Sequence, residues 1–493
     1  MGPFVLHRMP NTAPVAGEES PRSLLELPDV CLLAVLQCCA ADYCTLFTAA
    51  RAHSRLSQAA VLALPSVQAV VTEQQVDSVL LYLAKYGSRD DRICLEGPGC
   101  CSDGEHAASL QQLPPNLQLS SMQLKGFKLQ LQPGDGFQGV LGAAQTAAAL
   151  KQLRLCSCDV IDGDALAQLP AGLEHLSIDT LCSNRNTASF PTIVLEQLQQ
   201  LTYLELAGVR VQRPDQTKPT LQPVQALTRL VDLRLAGVTA PGAPITAGML
   251  SSLHSLTRLD LVGCWFQPGV LSGKTLLQHL NLNYWLTGVM TLWGVQQLLS
   301  HLQPLHQLTH LSLRGTMGAS NVGGGPPAAP YSALTASSKL QHLDINHCAL
   351  PAGLWQHLFP TSRQLPHLTS LNIANSGSAT APEGTRLVSC CPGLRSLDLG
   401  LLRYSVELLA PLQGLSGLQK LAVAASTKDT VEGLQSVCHL TRLKELELVI
   451  TNLADPGVLL QMTQLKQLTR LEYHGPLSPL RHTDQTLVAQ VGP

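Results

Sequence analysis

Charge is scarce in this sequence. Asp, Glu, Lys and Arg supply 13% of its 493 residues, about half the ~25% of an ordinary soluble domain, so Gln, Ser, Thr and His must carry much of the solvation. The charge that exists nearly cancels, to −2, and no basic run is present. Both facts argue against a nucleic-acid partner. No uninterrupted apolar run approaches the ~18 residues that would span a bilayer. Residues 1–20 are interrupted by Pro3, Pro10, Pro14, Glu18 and Glu19 and hold no apolar stretch of signal-peptide length. Leu6 stands where a myristoylation motif would place Ser or Thr. A soluble chain of the cytoplasm, the nucleus or both is expected, with no membrane partner.

Catalytic signatures are missing as well. There is no phosphate-binding glycine loop, no His-Glu-x-x-His and no nucleophile elbow in context. The 15 cysteines form close pairs (Cys100-Cys101, Cys156-x-Cys158, Cys390-Cys391) that lack the paired CxxC spacing of a zinc site. They are expected to be free thiols filling turns and cores in a reducing compartment. The sequence therefore predicts a non-catalytic chain with no cofactor and no metal.

What the sequence has in abundance is one nine-residue template. Leu256-Thr257-Arg258-Leu259-Asp260-Leu261-Val262-Gly263-Cys264 places Leu at positions one, four and six. Copies begin at Leu150, Leu173, Leu201, Leu230, Leu256, Leu277, Leu308, Leu340, Leu368, Leu394, Leu418, Leu443 and Leu468, with steps from 21 residues (Leu256 to Leu277) to 32 (Leu308 to Leu340). Leu119, Met122 and Leu124 fit it once more. Positions four and six lie on one face of a short strand. A lone strand cannot bury that pair, whereas stacked parallel strands about 4.8 Å apart bury a continuous ladder. The rest of each repeat returns outside with its own apolar series, as in Leu434, Val437, Leu440 and Leu443, which suits a short helix or 3₁₀ segment. Position nine is Cys158, Cys264, Cys348, Thr316, Ser376, Ser426 or Thr451, a small donor able to satisfy backbone groups where the strand turns outward. The spacing resembles that of leucine-rich repeats, most closely the intracellular cysteine-containing type.

Positions three, five and seven must face away from the leucines. On a curved sheet they would line the concave side. From Asp260 onward position five carries no base and five acids, Asp260, Asp344, Asp398, Glu447 and Glu472, interspersed with Asn281 and Asn372. Position seven is often small (Ala207, Ala236, Ala374, Gly400, Ala424). His279, His310 and His342 take position three in consecutive repeats and should stack. Asp260, Asn281, His310, Asp344, Asn372 and Asp398 are the candidate partner-binding residues, the acids facing open solvent, for a segment with basic or amide side chains. Ordinary strand solubility would require the same polarity.

Ahead of the repeats the pattern changes. Leu27-Pro28 opens a segment in which Leu32, Val35, Leu36 and Cys39 fall at helical spacing; Asp42 caps a second stripe of Tyr43, Leu46, Phe47 and Ala50; and Arg51 to Leu56 begins a third. This resembles an F-box, through Leu27, Pro28, Leu32, Val35, Leu36, Asp42-Tyr43 and Leu46. Cys38-Cys39 and Ala49-Ala50-Arg51-Ala52 depart from the family's usual residues. The resemblance implies a Skp-type adaptor bound through Leu27, Pro28, Leu32, Val35, Leu36 and Leu46, a cullin beyond it, and a protein substrate on the repeats. A helical cap on the first repeat's apolar edge is the other reading of the same residues.

The expected architecture is thus an α/β leucine-rich-repeat solenoid, with a curved parallel sheet and short outer helices or 3₁₀ segments, preceded by a small three-helix F-box-like module. Its divisions are a lead-in at 1–20, the module at 21–65, a linker with degenerate first repeats or a cap at 66–116, repeats at 117–476 and a polar tail at 477–493. Within 66–116, Val67, Val70 and Ile93-x-Leu95 read as degenerate strands and Val76 to Tyr86 as a helix. The function this implies is substrate recognition in an SCF-type ubiquitin ligase; the alternative is a protein-binding repeat scaffold unconnected with ubiquitin.

Overall fold

The computed structural model describes Leu32 and, between 67 and 490, the residues outside 87–91, 98–108, 130–139, 142–147, 161–165, 180–188, 213–220, 239–243, 284–291, 318–327, 401–402, 405–407, 426–433, 451–461, 476–484 and the single positions 111, 116, 167, 349, 352, 377 and 380. One 17-stranded sheet dominates it. In chain order its strands are β1 (Val67–Val70), β2 (Arg92–Glu96), β3 (Ser121–Lys125), β4 (Gln152–Cys156), β5 (His175–Asp179), β6 (Tyr203–Ala207), β7 (Asp232–Ala236) and β8 (Arg258–Val262). They continue as β9 (His279–Asn281), β10 (His310–Ser312), β11 (His342–Asp344), β12 (Ser370–Asn372), β13 (Ser396–Gly400), β14 (Lys420–Ala425), β15 (Glu445–Ile450), β16 (Arg470–Gly475) and β17 (Gln485–Gln490).

Each strand pairs with its sequence neighbour, in parallel, from β1 to β16, and template positions stay in register except where β13 and β14 slip by one residue between Asp398 and Gly400: Leu259 opposes Leu233 and Leu280, and Asp260 opposes Arg234 and Asn281. The described leucines at positions one, four and six are buried to within a few per cent of complete enclosure, as at Leu256, Leu259 and Leu261, with Leu471 on β16 only partly buried. The sheet begins two rungs before Leu119, at β1 and β2, which flank the helix α1 (Val76–Tyr86). It ends within the expected tail, where residues 485–490 form β17, antiparallel to β16. Its backbone pairs an edge that would otherwise expose a row of N–H and C=O groups.

The outer return is built from two consecutive i→i+3 turns ending on the template's first leucine. Leu305 N–H bonds Leu302 O and Leu308 N–H bonds Leu305 O, and the same pairs recur at Leu195/Leu198/Leu201, Leu412/Leu415/Leu418 and Val437/Leu440/Leu443. Three-residue spacing in a 3₁₀ turn eclipses side chains, so all three apolar groups point inward. Two longer helices lie in this layer, α2 (Leu292–Leu302) and α3 (Ala381–Cys390).

Two devices turn the chain off its strands. Position eight is left-handed at Gly126, Gly208, Gly237, Gly263 and Gly315, with Ser157, His347 and Asn375 taking the same positive φ, whereas Ala425, Ile450 and Gly475 at that position continue their strands. An L side chain is strained there, so glycine recurs. Position nine then donates to the position-six carbonyl of the preceding repeat. Cys158 Sγ bonds Leu124 O (3.4 Å), Cys264 Sγ bonds Leu235 O (3.3 Å), Cys348 Sγ bonds Leu313 O (3.0 Å), and Thr316 and Ser376 reach Leu282 O and Ile345 O. Among the described residues the cysteines are free thiols, as expected, and Cys158, Cys264 and Cys348 serve as small buried donors; burial pushes the Cys264 and Cys348 thiols up to about 11.

One residue breaks the outer pattern. Lys274 holds the slot between Leu271 and Leu277 that is leucine in most repeats, and it is 2% exposed. Its stem is enclosed while Nζ reaches the carbonyl of Ser251, itself exposed, at 3.3 Å. Burial lowers its pKa from 10.5. The unfolded chain therefore binds the proton more tightly, and stability rises as pH climbs from the folded value towards 10.5. Lys274→Met is expected to raise stability at neutral pH by roughly 1–3 kcal/mol and to remove that alkaline rise, measured by urea unfolding across pH. Thr316→Val, which strips the donor from the buried Leu282 carbonyl, is expected to cost roughly 1–3 kcal/mol in the same assay, whereas Thr316→Cys should cost less.

Candidate functional site

The open face of the sheet carries positions three, five and seven, and it divides into regions of different chemistry. Over β5 to β8 the polar groups satisfy one another. Ser177 and Tyr203 hydroxyls donate to Glu205 at 2.7 and 2.8 Å. Burial opposes the charge of Glu205, but these two hydroxyls together with the Arg234 and Arg154 guanidiniums hold the carboxyl below the ordinary range. Arg234 donates twice to Asp232 (3.0 and 2.9 Å) and lies 5.0 Å over the Tyr203 ring. Arg258 donates twice to Asp260 (3.1 and 2.9 Å), and Arg234 and Arg258 each reach the other's carboxylate at 3.9 Å.

This network corrects the reading of Asp260. Its side chain shares the open face, as the register requires, but it is not open to solvent: Asp260 is 8% exposed. Two guanidiniums from β7 and β8 cover it. A charge reversal there would take from Arg258 its close carboxylate partner and set a third positive charge between two guanidiniums, so Asp260 is a structural member of the face. Sequence reasoning missed Tyr203, Asp232, Arg234 and Arg258, although they fill positions three and five of the same template.

Over β9 to β11 the three imidazoles stack as expected. His279 and His310 ring centres are 4.1 Å apart at 17°, and His310 and His342 are 5.9 Å apart at 30°. The three rings do not bring their nitrogens together within reach of one ion. Thr309 Oγ1 lies 2.9 Å from His310 Nδ1 and 3.0 Å from Gln278 O. Its single proton satisfies only one of them, which favours the Nδ1–H tautomer of His310 when the hydroxyl serves the carbonyl. Burial, then the two neighbouring rings, pushes His310 down to about 4; burial also lowers His279 and His342.

Asn281, Asp344 and Asn372 are half-buried, and each uses a side-chain oxygen locally. Asn281 accepts the N–H of Asn283 (3.2 Å), Asp344 that of Asn346 (3.0 Å) and Asn372 that of Ala374 (3.1 Å). The side chain thereby takes the backbone N–H two residues on; these strands and β10 stop after three residues where β6, β7 and β8 run for five, and β13 runs for five with the same contact at Asp398. Half of each expected recognition group is thus committed to its own backbone. Asp398, also half-buried, accepts the Gly400 N–H; burial and then Glu447 raise its pKa. Gly400 fits there because a Cβ would lie 2.4 Å from that of Ala374. Among the described residues neither Asp344 nor Asp398 is in ion-pair contact with a cation, unlike the carboxylates of β7 and β8.

Of the F-box-like residues, Leu32 is helical and fully buried. Leu27, Pro28, Val35, Leu36 and Leu46 lie outside the described residues. Among the described residues no helix is long and apolar enough to cross a membrane.

His310 supplies a test of the stacked row. Its folded-state pKa is depressed to about 4 from 6.5, so the unfolded chain binds more protons between those values. Its share of stability is complete above about pH 6.5 and is lost as pH falls through about 4. His310→Gln is expected to flatten the acid limb of the stability profile in that window, read by thermal unfolding at stepped pH.

No family model matches the sequence, and no curated protein matches it. Solved structures do: an internalin from Listeria monocytogenes, 18% identical, covers 64% of this chain and 85% of its own with a TM-score of 0.42. The plant peptide hormone receptor RGFR1 in complex with RGF2, 15% identical, covers 80% of this chain and 69% of its own with a TM-score of 0.38. The repeat's own register, one strand per template copy with buried leucines and a position-nine donor, makes this chain a leucine-rich-repeat solenoid.

Proposed function

We propose that this chain acts by binding a protein on the open face of its sheet, and that its F-box-like module makes it a substrate-recognition subunit of an SCF-type ubiquitin ligase. The observation that carries the first half is the contrast between two stretches of one face. Over β7 and β8 every carboxylate is matched by an arginine. Over β11 to β13, Asp344 and Asp398 hold backbone N–H groups and bring charge that no contacting cation cancels, beside the small residues Ala374 and Gly400. A partner segment with basic or amide side chains complements that stretch. The partner site therefore centres on Asp344, Asn372 and Asp398, and Asp260 drops out of it.

The second half rests on the Leu27-Pro28 to Leu56 resemblance. The module would hold a Skp-type adaptor and, through it, a cullin. The solenoid would raise the effective concentration of substrate lysines near a charged ubiquitin carrier, and bond-making would belong to other subunits. The chain itself is then non-catalytic and belongs in the reducing cytoplasm or nucleus, where buried thiols persist. A protein-binding scaffold without the adaptor is the competing reading, favoured by Cys38-Cys39 in place of the family's usual residues.

Two experiments separate the halves. Full-length protein used as bait is expected to retain adaptor and cullin, and removal of 21–65 is expected to abolish both while the repeats stay folded. Absence of adaptor binding at micromolar concentration leaves the scaffold reading. For the face, Asp344→Asn with Asp398→Asn removes charge yet keeps the backbone acceptors, as Asn281 and Asn372 do naturally. The double variant is expected to stay folded and to weaken a captured partner in a salt-dependent way. Unchanged affinity would place recognition away from β11 to β13.

A further inference from the structure

The last two parallel rungs bring three ligating side chains together outside the site just described. Glu447 on β15 and Glu472 on β16 are direct cross-strand partners, so both carboxylates leave the open face side by side. His474 follows Glu472 by two residues on the same strand and therefore on the same face. The ligand atoms of all three lie within 4.8 Å of one another, and His474 Nε2 is 3.8 Å from Glu447 Oε1. Each residue is half-buried. Among the described residues this is the one group of three or more His, Cys, Asp or Glu side chains that converges in this way.

We propose that Glu447, Glu472 and His474 form a binding site for a divalent transition-metal ion of the zinc class. Three features support it. First, position seven, where His474 stands, is a small residue in many rungs (Ala207, Ala236, Ala374, Gly400, Ala424); here it is an imidazole placed diagonally from one carboxylate and directly behind another. Second, Arg470 holds one oxygen of Glu472 in an ion pair and leaves the other available, so the carboxylate is oriented before any ion arrives. Third, with Arg470 paired to Glu472, the Glu447 carboxylate remains as negative charge for a divalent ion to meet, and the imidazole adds a nitrogen ligand.

The donor set selects the metal. An imidazole nitrogen with two carboxylate oxygens suits zinc, cobalt or manganese better than calcium, which takes six to eight oxygens. Tetrahedral bonds of about 2.0–2.2 Å set donors about 3.3 Å apart. The 3.8 Å between His474 and Glu447 thus closes by a small side-chain rotation. Three protein ligands leave a fourth position facing the open side, filled by water. Such an ion would tie β15 to β16 next to the point where the parallel ladder meets antiparallel β17.

The site does not depend on the partner-binding reading, and its test uses the metal alone. Metal-stripped full-length protein is titrated with Co²⁺, whose spectrum distinguishes nitrogen and oxygen ligands from the cysteine thiolates elsewhere in the chain. The expected result is one equivalent bound with d–d bands and no thiolate charge-transfer band, displaced by Zn²⁺ and accompanied by a higher melting temperature. His474→Gln and Glu447→Gln should each weaken it roughly tenfold or more, with the metal-free melting temperature unchanged. Binding that keeps its strength in both variants, binding with only a thiolate band, or no binding at micromolar metal would each overturn the proposal. In the last case the trio is a His474–Glu447 ion pair and nothing more.

Discussion

Every rung of this protein leaves a debt that the next rung must settle. The Leu pair at positions four and six is buried only when strands stand on both sides, and in five of the described repeats the position-six carbonyl also accepts from the position-nine side chain of the following repeat. Cys158, Cys264, Thr316, Cys348 and Ser376 each close that bond across roughly one repeat of chain. Such nearest-neighbour coupling explains why the chain tolerates repeats of unequal length. Extra residues enter the outer return, as α2 does, without disturbing the register of the inner strands.

The same coupling decides what could be read from the residues alone. Leucine periodicity is a property of one repeat and is visible in any copy, so the strands, the 3₁₀ returns and the buried thiols follow from spacing. The histidine stack was legible for a similar reason: three residues at one template position in consecutive copies must become neighbours. Asp260 was misread because its cover comes from across the sheet. Only the pairing of Arg234 with Asp260, in register on β7 and β8, shows two guanidiniums over one carboxylate. The strand β17 left no periodic trace because its role is backbone pairing. Lys274 is the instructive case between these. The template marks it as a core position, but the length of its stem, which lets the charge reach Ser251 at the rim, belongs to the side chain and not to the pattern.

Position five shows how one residue type acquires two meanings. Asn and Asp compete for nearby backbone donors more readily than most side chains, and on β9, β11, β12 and β13 they succeed; the first three of these strands stop after three residues. The outward turn begins earlier there than on β6 to β8. A residue that looks like a recognition group is also a backbone acceptor, and an Asn serves the second role as well as an Asp does. The distinction between the roles is charge. Asn281 and Asn372 hold backbone N–H groups without adding any, while Asp344 holds one and leaves a net negative charge on the face.

Charge, rather than shape, therefore separates the regions of an otherwise repetitive surface. Between β5 and β8 the polar groups form closed hydrogen-bonded sets, and a partner would have to break them to gain anything. Over β9 to β11 burial keeps the imidazoles neutral near pH 7, which gives a flat, weakly polar strip. From β11 to β13 the carboxylates are held by backbone groups, and between β15 and β16 Glu447, Glu472 and His474 converge. In a chain with so few charged residues, an unmatched carboxylate is a larger fraction of the local field than it would be on an ordinary surface. Discrimination between partners then follows from the order of these regions along the array: a bound segment must present neutral groups to the histidine strip and positive or amide groups further along, in that sequence and at the spacing of the strands.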